Sequence, residues 1–139
     1  MKATELRIGN FVFDDDTDKI MVVSKIETEE FTDWNSGEEF SITCLEFGTK
    51  KSYYDGVFRP IPLTEEILLK FGFEKAPLVY KYSKGYFTYD SKLKYFTYFT
   101  DIEDGGYENI IIPKERLKYV HQLQNLYFAL IGEELILKN

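Results

Sequence analysis

Hydrophobic and polar positions in the last third of the chain repeat with the period of an α-helix. At about 100° per residue, the apolar side chains fall within one arc of roughly 200°, twice the width usual for a surface helix. The arc contains Tyr119, Val120, Leu123, Leu126, Tyr127, Phe128, Leu130 and Ile131. The pattern predicts a helix from Pro113 to Ile131, ended by Gly132. Because its apolar arc is so wide, we expect this helix to be buried and to lie across strands predicted at 78–112.

Two polar residues interrupt this helix pattern. Gln124 falls inside the apolar arc, and a buried amide needs hydrogen-bond partners, so we expect it to bind the backbone of a neighbouring loop or strand. His121 lies at the edge of the arc and is the only histidine of the chain. A lone boundary histidine is more often a packed structural residue than a catalytic base. We therefore interpret Gln124 and His121 as structural polar residues.

Alternating apolar and polar residues predict strands over most of the remaining chain. Short strands at this spacing in the first half indicate a small bent β-sheet or an SH3-like partial barrel. In the second half they indicate a four-stranded antiparallel meander. The predicted strands cover residues 6–13, 20–26, 39–47, 78–82, 86–89, 93–99 and 108–112, and the predicted turns and breaks cover 14–18, 35–37, 83–85, 90–92 and 104–106.

Residues 60–73 predict a short helix between the two halves, with matching signals at both ends. Thr64 is the expected N-cap residue, and the next two residues are glutamates, which suit the positive end of a helix. Gly72 is the expected left-handed terminator, which allows Leu68 to meet Phe73 across a Schellman cap. The fold class predicted is therefore α+β. We expect a single domain with two β-rich halves: a barrel-like half at 1–60, and a half at 61–139 in which the long C-terminal helix packs on the meander.

Composition and charge narrow the classes of function. The formal net charge of the 139 residues is −7, and residues 1–60 hold 13 acidic and 7 basic side chains, a net −6. Such a field repels phosphate and anionic membranes, so it disfavours a general nucleic-acid or membrane-surface binder. No stretch approaches 18 apolar residues, the N-terminus lacks an apolar segment, and the single Cys44 cannot form an internal disulfide. These features predict a cytoplasmic protein that does not bind a membrane.

Motifs for catalysis or metal binding are weak. Asp14, Asp16 and Asp18 resemble the start of a calcium-binding EF-hand loop, but Lys19 stands where glycine is required. Cys44 and His121 lack a nucleophile signature around them. We expect no enzyme activity, no metal and no cofactor.

Residues 80–99 form the most suggestive constellation. They contain nine of the chain's 24 aromatic residues, together with four lysines and one aspartate. Rings and lysines can bind single-stranded nucleic acid by stacking bases and contacting phosphates, which is the alternative function here. Apolar surface more often serves protein contact, so we expect a non-catalytic interaction module that binds a protein partner or a second copy as a homodimer. The expected binding surface contains Tyr82, Lys84, Tyr89, Lys92, Lys94 and Tyr98.

Three blocks of the chain resemble one protein family. They are Leu6–Asn10, residues 60–73, and the helix block from Tyr119 to Leu135, in the same order and spanning nearly the whole chain. The chain is similar here to an uncharacterised family of small proteins of gut bacteria, their phages and their mobile elements, with Ile131 standing where threonine is expected. The resemblance implies a bacterial, phage or mobile-element origin, and it brings no activity, ligand or active-site residue.

Overall fold

The computed structural model describes residues 1–30, 38–49, 52–53, 57–101 and 107–138. Within these ranges the chain forms two antiparallel sheets and two α-helices, which confirms the mixed α and β class. The predicted break at 35–37 and the predicted turn at 104–106 lie outside the described residues. The chain divides into two compact units. One comprises Met1–Pro62 and Tyr119–Gly132, and the other comprises Leu63–Lys118 and Glu133–Asn139.

The first unit is built on a sheet of five strands in the order β4-β3-β2-β1-β5. β2 is rich in β-branched residues, which favour the extended backbone. β2 carries a β-bulge between Val23 and Lys25, where the register with β3 shifts. The strands are β1 Phe11–Asp14, β2 Ile20–Glu30, β3 Glu38–Glu46, β4 Ser52–Tyr53 and β5 Phe58–Pro60.

Strand β1 begins at Phe11, so the prediction of a strand from residue 6 is wrong at its start. A turn takes up the preceding residues: the Arg7 N–H donates to Asn10 Oδ1 at 2.7 Å, and Gly9 adopts φ 93°. The Gly9 N–H then donates to the Val23 carbonyl at 2.8 Å. The left-handed backbone that this turn needs is accessible to glycine at little cost.

Apolar side chains from four segments form the core of the first unit. Cys44 is fully buried there, and burial raises the pKa of its thiol to about 12. It is thus a packed apolar residue without thiolate character. The core contains Leu6, Val12, Met21, Val23 and Cys44, with Ile26, Ile42 and Phe58 packed against it.

Helix α2 spans Val120–Ile131 and begins seven residues later than predicted. Pro113 instead ends a strand, paired with Tyr95, and a 3₁₀ turn at Lys114–Arg116 follows it. The N-terminus of α2 is closed by the Gln122 side chain, whose Oε1 accepts the Tyr119 N–H at 3.1 Å. The predicted long helix is therefore a shorter one of 12 residues.

Helix α2 packs in the first unit, against β1. The prediction that it covers the strands at 78–112 is wrong, because those strands belong to the other unit. Gln124 is fully buried in α2; its Oε1 accepts the Phe11 N–H at 2.8 Å and its Nε2 donates to the Gly9 carbonyl at 3.1 Å. Gln124 thus adds one polar contact to an otherwise apolar arc, and that contact is made with the backbone of Gly9 and Phe11.

Asn125 continues the same contact one residue further along α2. Its Nδ2 donates to the Glu5 carbonyl at 3.0 Å, and its Oδ1 accepts Asn10 Nδ2 at 2.9 Å and Arg7 Nε at 3.3 Å. Together the two side chains hold residues 5–11 onto the helix through five hydrogen bonds. We call this contact the amide clamp.

The second unit is built on a sheet of five strands in the order β10-β9-β8-β7-β6, with helix α1, Glu65–Lys70, against β7. The strands β7 to β10 form the predicted antiparallel meander, and the short β6 extends it at one edge. The strands are β6 Glu74–Lys75, β7 Lys81–Lys84, β8 Phe87–Asp90, β9 Tyr95–Asp101 and β10 Tyr107–Pro113.

Both predicted caps of α1 are confirmed. At the N-terminus, Thr64 Oγ1 accepts the Ile67 N–H at 3.3 Å. At the C-terminus, Gly72 adopts φ 85°, and the Phe73 N–H donates to the Leu68 carbonyl at 3.0 Å. The Gly72 N–H completes the Schellman motif by donating to the carbonyl three residues before it at 2.9 Å.

The inner face of the second sheet is aromatic. Tyr89 stacks on Phe96 with ring centroids 4.5 Å apart, and Phe87 lies 5.6 Å from Tyr98. These pairs follow from the register, because side chains directly opposite on neighbouring strands touch. Buried side chains from α1, from the residues that follow it and from residues 133–138 share this unit: Leu68, Phe71, Phe73, Leu135 and Leu137. Within the described ranges of both units, no helix is long and apolar enough to cross a membrane.

We predict that Gln124→Met lowers the free energy of unfolding by about 2–4 kcal/mol, because it removes the hydrogen bonds that the Gln124 side chain makes to the Phe11 N–H and the Gly9 carbonyl. Urea denaturation followed by circular dichroism measures the change. Leu126→Met on the same helix is the control, since it changes volume little and should cost under about 1.5 kcal/mol. Equal effects of the two substitutions would contradict the importance of the amide clamp.

Candidate functional site

The tyrosines at the centre of the predicted binding surface are buried. Tyr82 and Tyr89 are 4% and 3% exposed, so the prediction that their rings face solvent is wrong. The Tyr82 hydroxyl donates to Glu65 Oε2 at 2.7 Å, and this hydrogen bond raises the pKa of Tyr82. Burial raises the pKa of Tyr89. Both rings complete the core of the second unit and are inaccessible to a stacking base.

The remaining predicted surface residues do not converge on one site. Lys84 Nζ donates to the Phe71 carbonyl at 2.8 Å and so closes the end of α1. Lys92 and Lys94 are exposed in the turn between β8 and β9, whereas Tyr98 is half-buried on the inner face. The six residues are therefore divided among the core, the end of α1 and the turn between β8 and β9.

The outer face of the second sheet carries a different set of side chains around a hollow of about 300 Å³. The two-residue period of the strands brings these side chains to the face opposite the buried aromatic rings. We call this surface the polar face. It is lined by Lys81, Ser83, Thr88, Asp90, Tyr95, Thr97, Phe99 and Ile111.

Three hydroxyl residues form one row across the polar face. Ser83 pairs with Thr88 and Thr88 pairs with Thr97 in the strand register. The Ser83 and Thr88 hydroxyl oxygens are 3.2 Å apart and share a hydrogen bond. Ile111 continues the row on β10, opposite Thr97. The row thus runs from polar to apolar across four strands.

A second row contains two charged residues and a tyrosine. Lys81 pairs with Asp90, and Asp90 pairs with Tyr95. Asp90 is 8% exposed, and its Oδ1 accepts the Lys92 N–H at 3.0 Å and the Leu93 N–H at 2.8 Å. Asp90 therefore shapes the turn after β8 with one oxygen while its side chain lines the hollow.

Several polar groups of the polar face have no hydrogen-bond partner among the described residues. They are the hydroxyls of Thr97 and Tyr95 and the second oxygen of Asp90. Thr97 is only 9% exposed, but its hydroxyl remains accessible, so water or a ligand can supply its hydrogen-bond partner. The polar face consequently retains hydrogen-bonding capacity in a recessed position.

A second accessible feature is the loop that precedes β7, in which three large apolar residues follow one another. Leu78 is fully exposed, and Val79 and Tyr80 are 46% and 62% exposed. With Lys75 they surround a hollow of about 220 Å³. We call residues 76–80 the apolar loop. The prediction of a strand from residue 78 is wrong here, because Leu78 adopts φ 63°, outside the extended region.

His121 is fully buried in the first unit, and neither ring nitrogen has a hydrogen-bond partner in the part of the chain that the structure describes. Its ring stacks on Tyr119 with centroids 5.8 Å apart, and Nε2 lies 3.8 Å from Glu5 Oε2. That distance is too long for a hydrogen bond but short enough for an ion pair if the ring is protonated. Burial lowers the pKa of His121, with the Glu5 carboxylate acting in the opposite direction.

The acidic turn at 14–18 is occupied by ion pairs. Arg59 pairs with Asp18 through Nη2 and with Asp15 through Nε at 3.4 Å. Within the described ranges no group of three or more His, Cys, Asp or Glu residues is arranged to hold a metal ion. This turn is thus better explained by its partner arginine than by a cation.

Sequence reasoning missed the polar face, although its signal is present in the alternation of residues. Within β7, β8 and the start of β9, every second position carries a polar or hydroxyl side chain, as in Lys81-x-Ser83, Thr88-x-Asp90 and Tyr95-x-Thr97. The large aromatic residues at the intervening positions make this pattern hard to see in the sequence. Only the strand register shows that these positions adjoin one another.

Comparison of the chain with models of protein families, with curated proteins and with solved structures gives no match.

We predict that acidification destabilises the first unit through His121. Because burial lowers its pKa below 6.5, the unfolded chain takes up a proton more readily than the folded one. The free energy of unfolding should therefore fall as the pH drops below 6.5, by at most about 1.4 kcal/mol per pH unit from this group. Urea midpoints between about pH 5.5 and 7.5 measure the slope.

His121→Gln should remove this part of the slope, since glutamine does not titrate. Glu5→Gln should steepen it, because the carboxylate that favours the protonated ring is lost. Identical pH dependence in the wild type and in His121→Gln would contradict the assignment.

Proposed function

We propose that this chain is a non-catalytic protein-interaction module of a bacterial, phage or mobile-element system, working in the cytoplasm, and that it pairs with a second copy of itself. The family resemblance of its three sequence blocks supports the setting. The observation that carries the proposal is the apolar loop, in which the fully exposed Leu78 is held in a left-handed backbone conformation.

The backbone at Leu78 argues for a presented side chain. A bulky residue at positive φ costs about 1–3 kcal/mol, and such strain persists where the surrounding structure enforces it. The ends of the loop are held in place: the Ala76 N–H donates to the Lys81 carbonyl at 2.9 Å, and the Ser91 N–H donates to the Tyr80 carbonyl at 2.8 Å. A pre-organised apolar anchor loses little entropy on binding, which is the usual property of an interface hot spot.

Charge complementarity favours a second copy as the occupant. Lysines surround the apolar loop, with Lys75 in its wall, Lys81 next to its end, and Lys92 Nζ lying 6.0 Å from the Tyr80 ring centroid. A basic rim favours an acidic partner surface. Residues 1–60 carry a net −6, so another copy of the chain supplies such a surface. Reciprocal docking of each loop on the other copy closes a twofold dimer.

The strand order of the first unit supports an SH3-like partial barrel. The strand β5 returns to pair with β1, at the opposite edge from β4, and β2 bends at its bulge. A strand that returns to the first member of a meander begins to close the sheet. We propose that this partial barrel is the scaffold of the module. Binding depends on the surfaces of the protein, because a fold alone does not determine a function.

The surroundings of Cys44 and His121, the candidate nucleophile and the candidate base, disfavour catalysis. The raised pKa of the buried Cys44 thiol disfavours the reactive thiolate. His121 is buried, and among the described residues it has no hydrogen-bonded neighbour to activate. Both observations support a binding role.

Single-stranded nucleic acid is the weaker candidate, favoured only by the exposed Tyr80 beside Lys92. We predict no binding of a labelled single-stranded oligonucleotide at low salt, because the rings of Tyr82 and Tyr89 are buried and the net charge is −7. Fluorescence anisotropy measures binding, and Lys92→Glu is the matched variant. Salt-sensitive binding that this variant weakens would reverse the choice of partner.

We predict a dimer of twice the 16.4 kDa chain mass by light scattering at about 100 μM, a concentration that populates micromolar complexes. Leu78→Asp should give the monomer mass without lowering the melting temperature, since the side chain is fully exposed. Leu78→Gly should also give the monomer and should stabilise the fold, because glycine tolerates positive φ.

Ile136→Asp is the control for the dimer experiment, as it changes an apolar residue that is 65% exposed outside the loop. It should leave the dimer intact. A monomeric wild type, or a dimer that persists in Leu78→Asp, would reject the proposed self-association.

A further inference from the structure

We propose that the polar face of the second unit binds a neutral polyhydroxylated molecule of about monosaccharide size. The site is separate from the apolar loop and requires neither a dimer nor a partner protein.

The lining of the hollow matches a ligand that both donates and accepts hydrogen bonds. Each hydroxyl of Ser83, Thr88 and Thr97 has one donor and two acceptor sites. Ser83 and Thr88 already share one bond, so their hydrogen atoms and lone pairs are partly oriented. The hydroxyls of Thr97 and Tyr95 have no partner among the described residues. A polyol offers several alternating donors and acceptors at this spacing, whereas an apolar ligand leaves these groups unsatisfied.

The two charged residues of the polar face select a neutral ligand. Lys81 and Asp90 lie directly opposite each other on β7 and β8, and no ion pair joins them in the described part of the chain. Their charges sum to zero, so the hollow does not favour a phosphate or a cation. Asp90 is nearly buried, and its Oδ1 is used by the turn while Oδ2 remains for a ligand. A carboxylate oxygen that accepts from ligand hydroxyls forms a charge-assisted hydrogen bond.

Apolar residues complete the match on one side of the hollow. Phe99 and Ile111 line it next to the hydroxyl row. Rings of polyhydroxylated molecules carry hydroxyls at their edge and C–H groups on their faces, so they suit a wall that is polar on one side and apolar on the other. The hollow of about 300 Å³ lies at the lower end of small-molecule sites, which run from about 300 to 1,000 Å³. This size suits one sugar ring.

Nuclear magnetic resonance of the ¹⁵N-labelled full chain tests the proposal. The probes are glucose, galactose, mannose, N-acetylglucosamine and myo-inositol, each titrated to about 20 mM so that millimolar complexes saturate. Glucose 6-phosphate and glucosamine are the charged comparisons. We expect at least one neutral probe to give saturable shifts at the amides of residues 81–83, 88–90 and 95–99. Its affinity should exceed that of the charged forms.

Two substitutions assign the binding to the polar face. Asp90→Asn keeps an oxygen for the turn and replaces the free carboxylate oxygen, and Thr97→Val removes one hydroxyl at constant shape. Each should weaken binding by about tenfold or more, the effect of one lost hydrogen bond to a buried group. Lys92→Ala, outside the hollow, should leave the affinity unchanged. Tyr95→Phe provides an independent hydroxyl deletion if either variant fails to fold.

The proposal is overturned if none of the five neutral probes gives saturable shifts in these strands. It is also overturned if a charged probe binds more tightly than every neutral one, or if the hydroxyl deletions leave the affinity unchanged. Light-scattering results do not bear on these outcomes, so failure here is distinguishable from failure of the proposed self-association.

Discussion

The first unit depends on the amide clamp, through which Gln124 and Asn125 of α2 hold residues 5–11. A buried primary amide is stable only when both its oxygen and its nitrogen are bonded, and the partners of Gln124 are backbone groups 113 and 115 residues away in sequence. The clamp also supplies partners to the turn that precedes β1. The helix, the start of β1 and the glycine turn at Gly9 are consequently interdependent, and none has a complete set of hydrogen bonds alone.

The second unit depends on a simpler rule, the alternation of side chains along antiparallel strands. Aromatic residues at one parity build the inner face, where Tyr89 and Phe96 stack. Hydroxyl and charged residues at the other parity build the polar face. One segment of sequence thus produces both a core and a recessed polar surface, because successive side chains point to opposite sides. The turns matter equally, since the Asp90 side chain organises the turn that sets the β8–β9 register.

The two proposed binding surfaces lie where the rules of core packing do not explain a residue. Leu78 is apolar yet fully exposed, and Thr97 is 9% exposed with a hydroxyl that has no hydrogen-bond partner among the described residues. Such local conflicts with packing are expected at functional surfaces, where stability is given up for recognition. By contrast, Cys44 is accounted for as an apolar member of the first unit's interior.

Local signals in the sequence alone determined the α+β class, the capped helix α1 and the antiparallel meander, because caps, turns and alternation act over a few residues. They did not determine which unit α2 belongs to. A wide apolar arc indicates that a helix is buried, but not which strands it packs against. Nor did they distinguish buried from exposed tyrosines, because Tyr80, Tyr82 and Tyr89 look alike until the strand register is known. The polar face likewise exists only after Ser83, Thr88 and Thr97 are brought side by side from three strands. Long-range hydrogen bonding and register are properties of the tertiary structure, and they decided both the placement of the helix and the location of the candidate site.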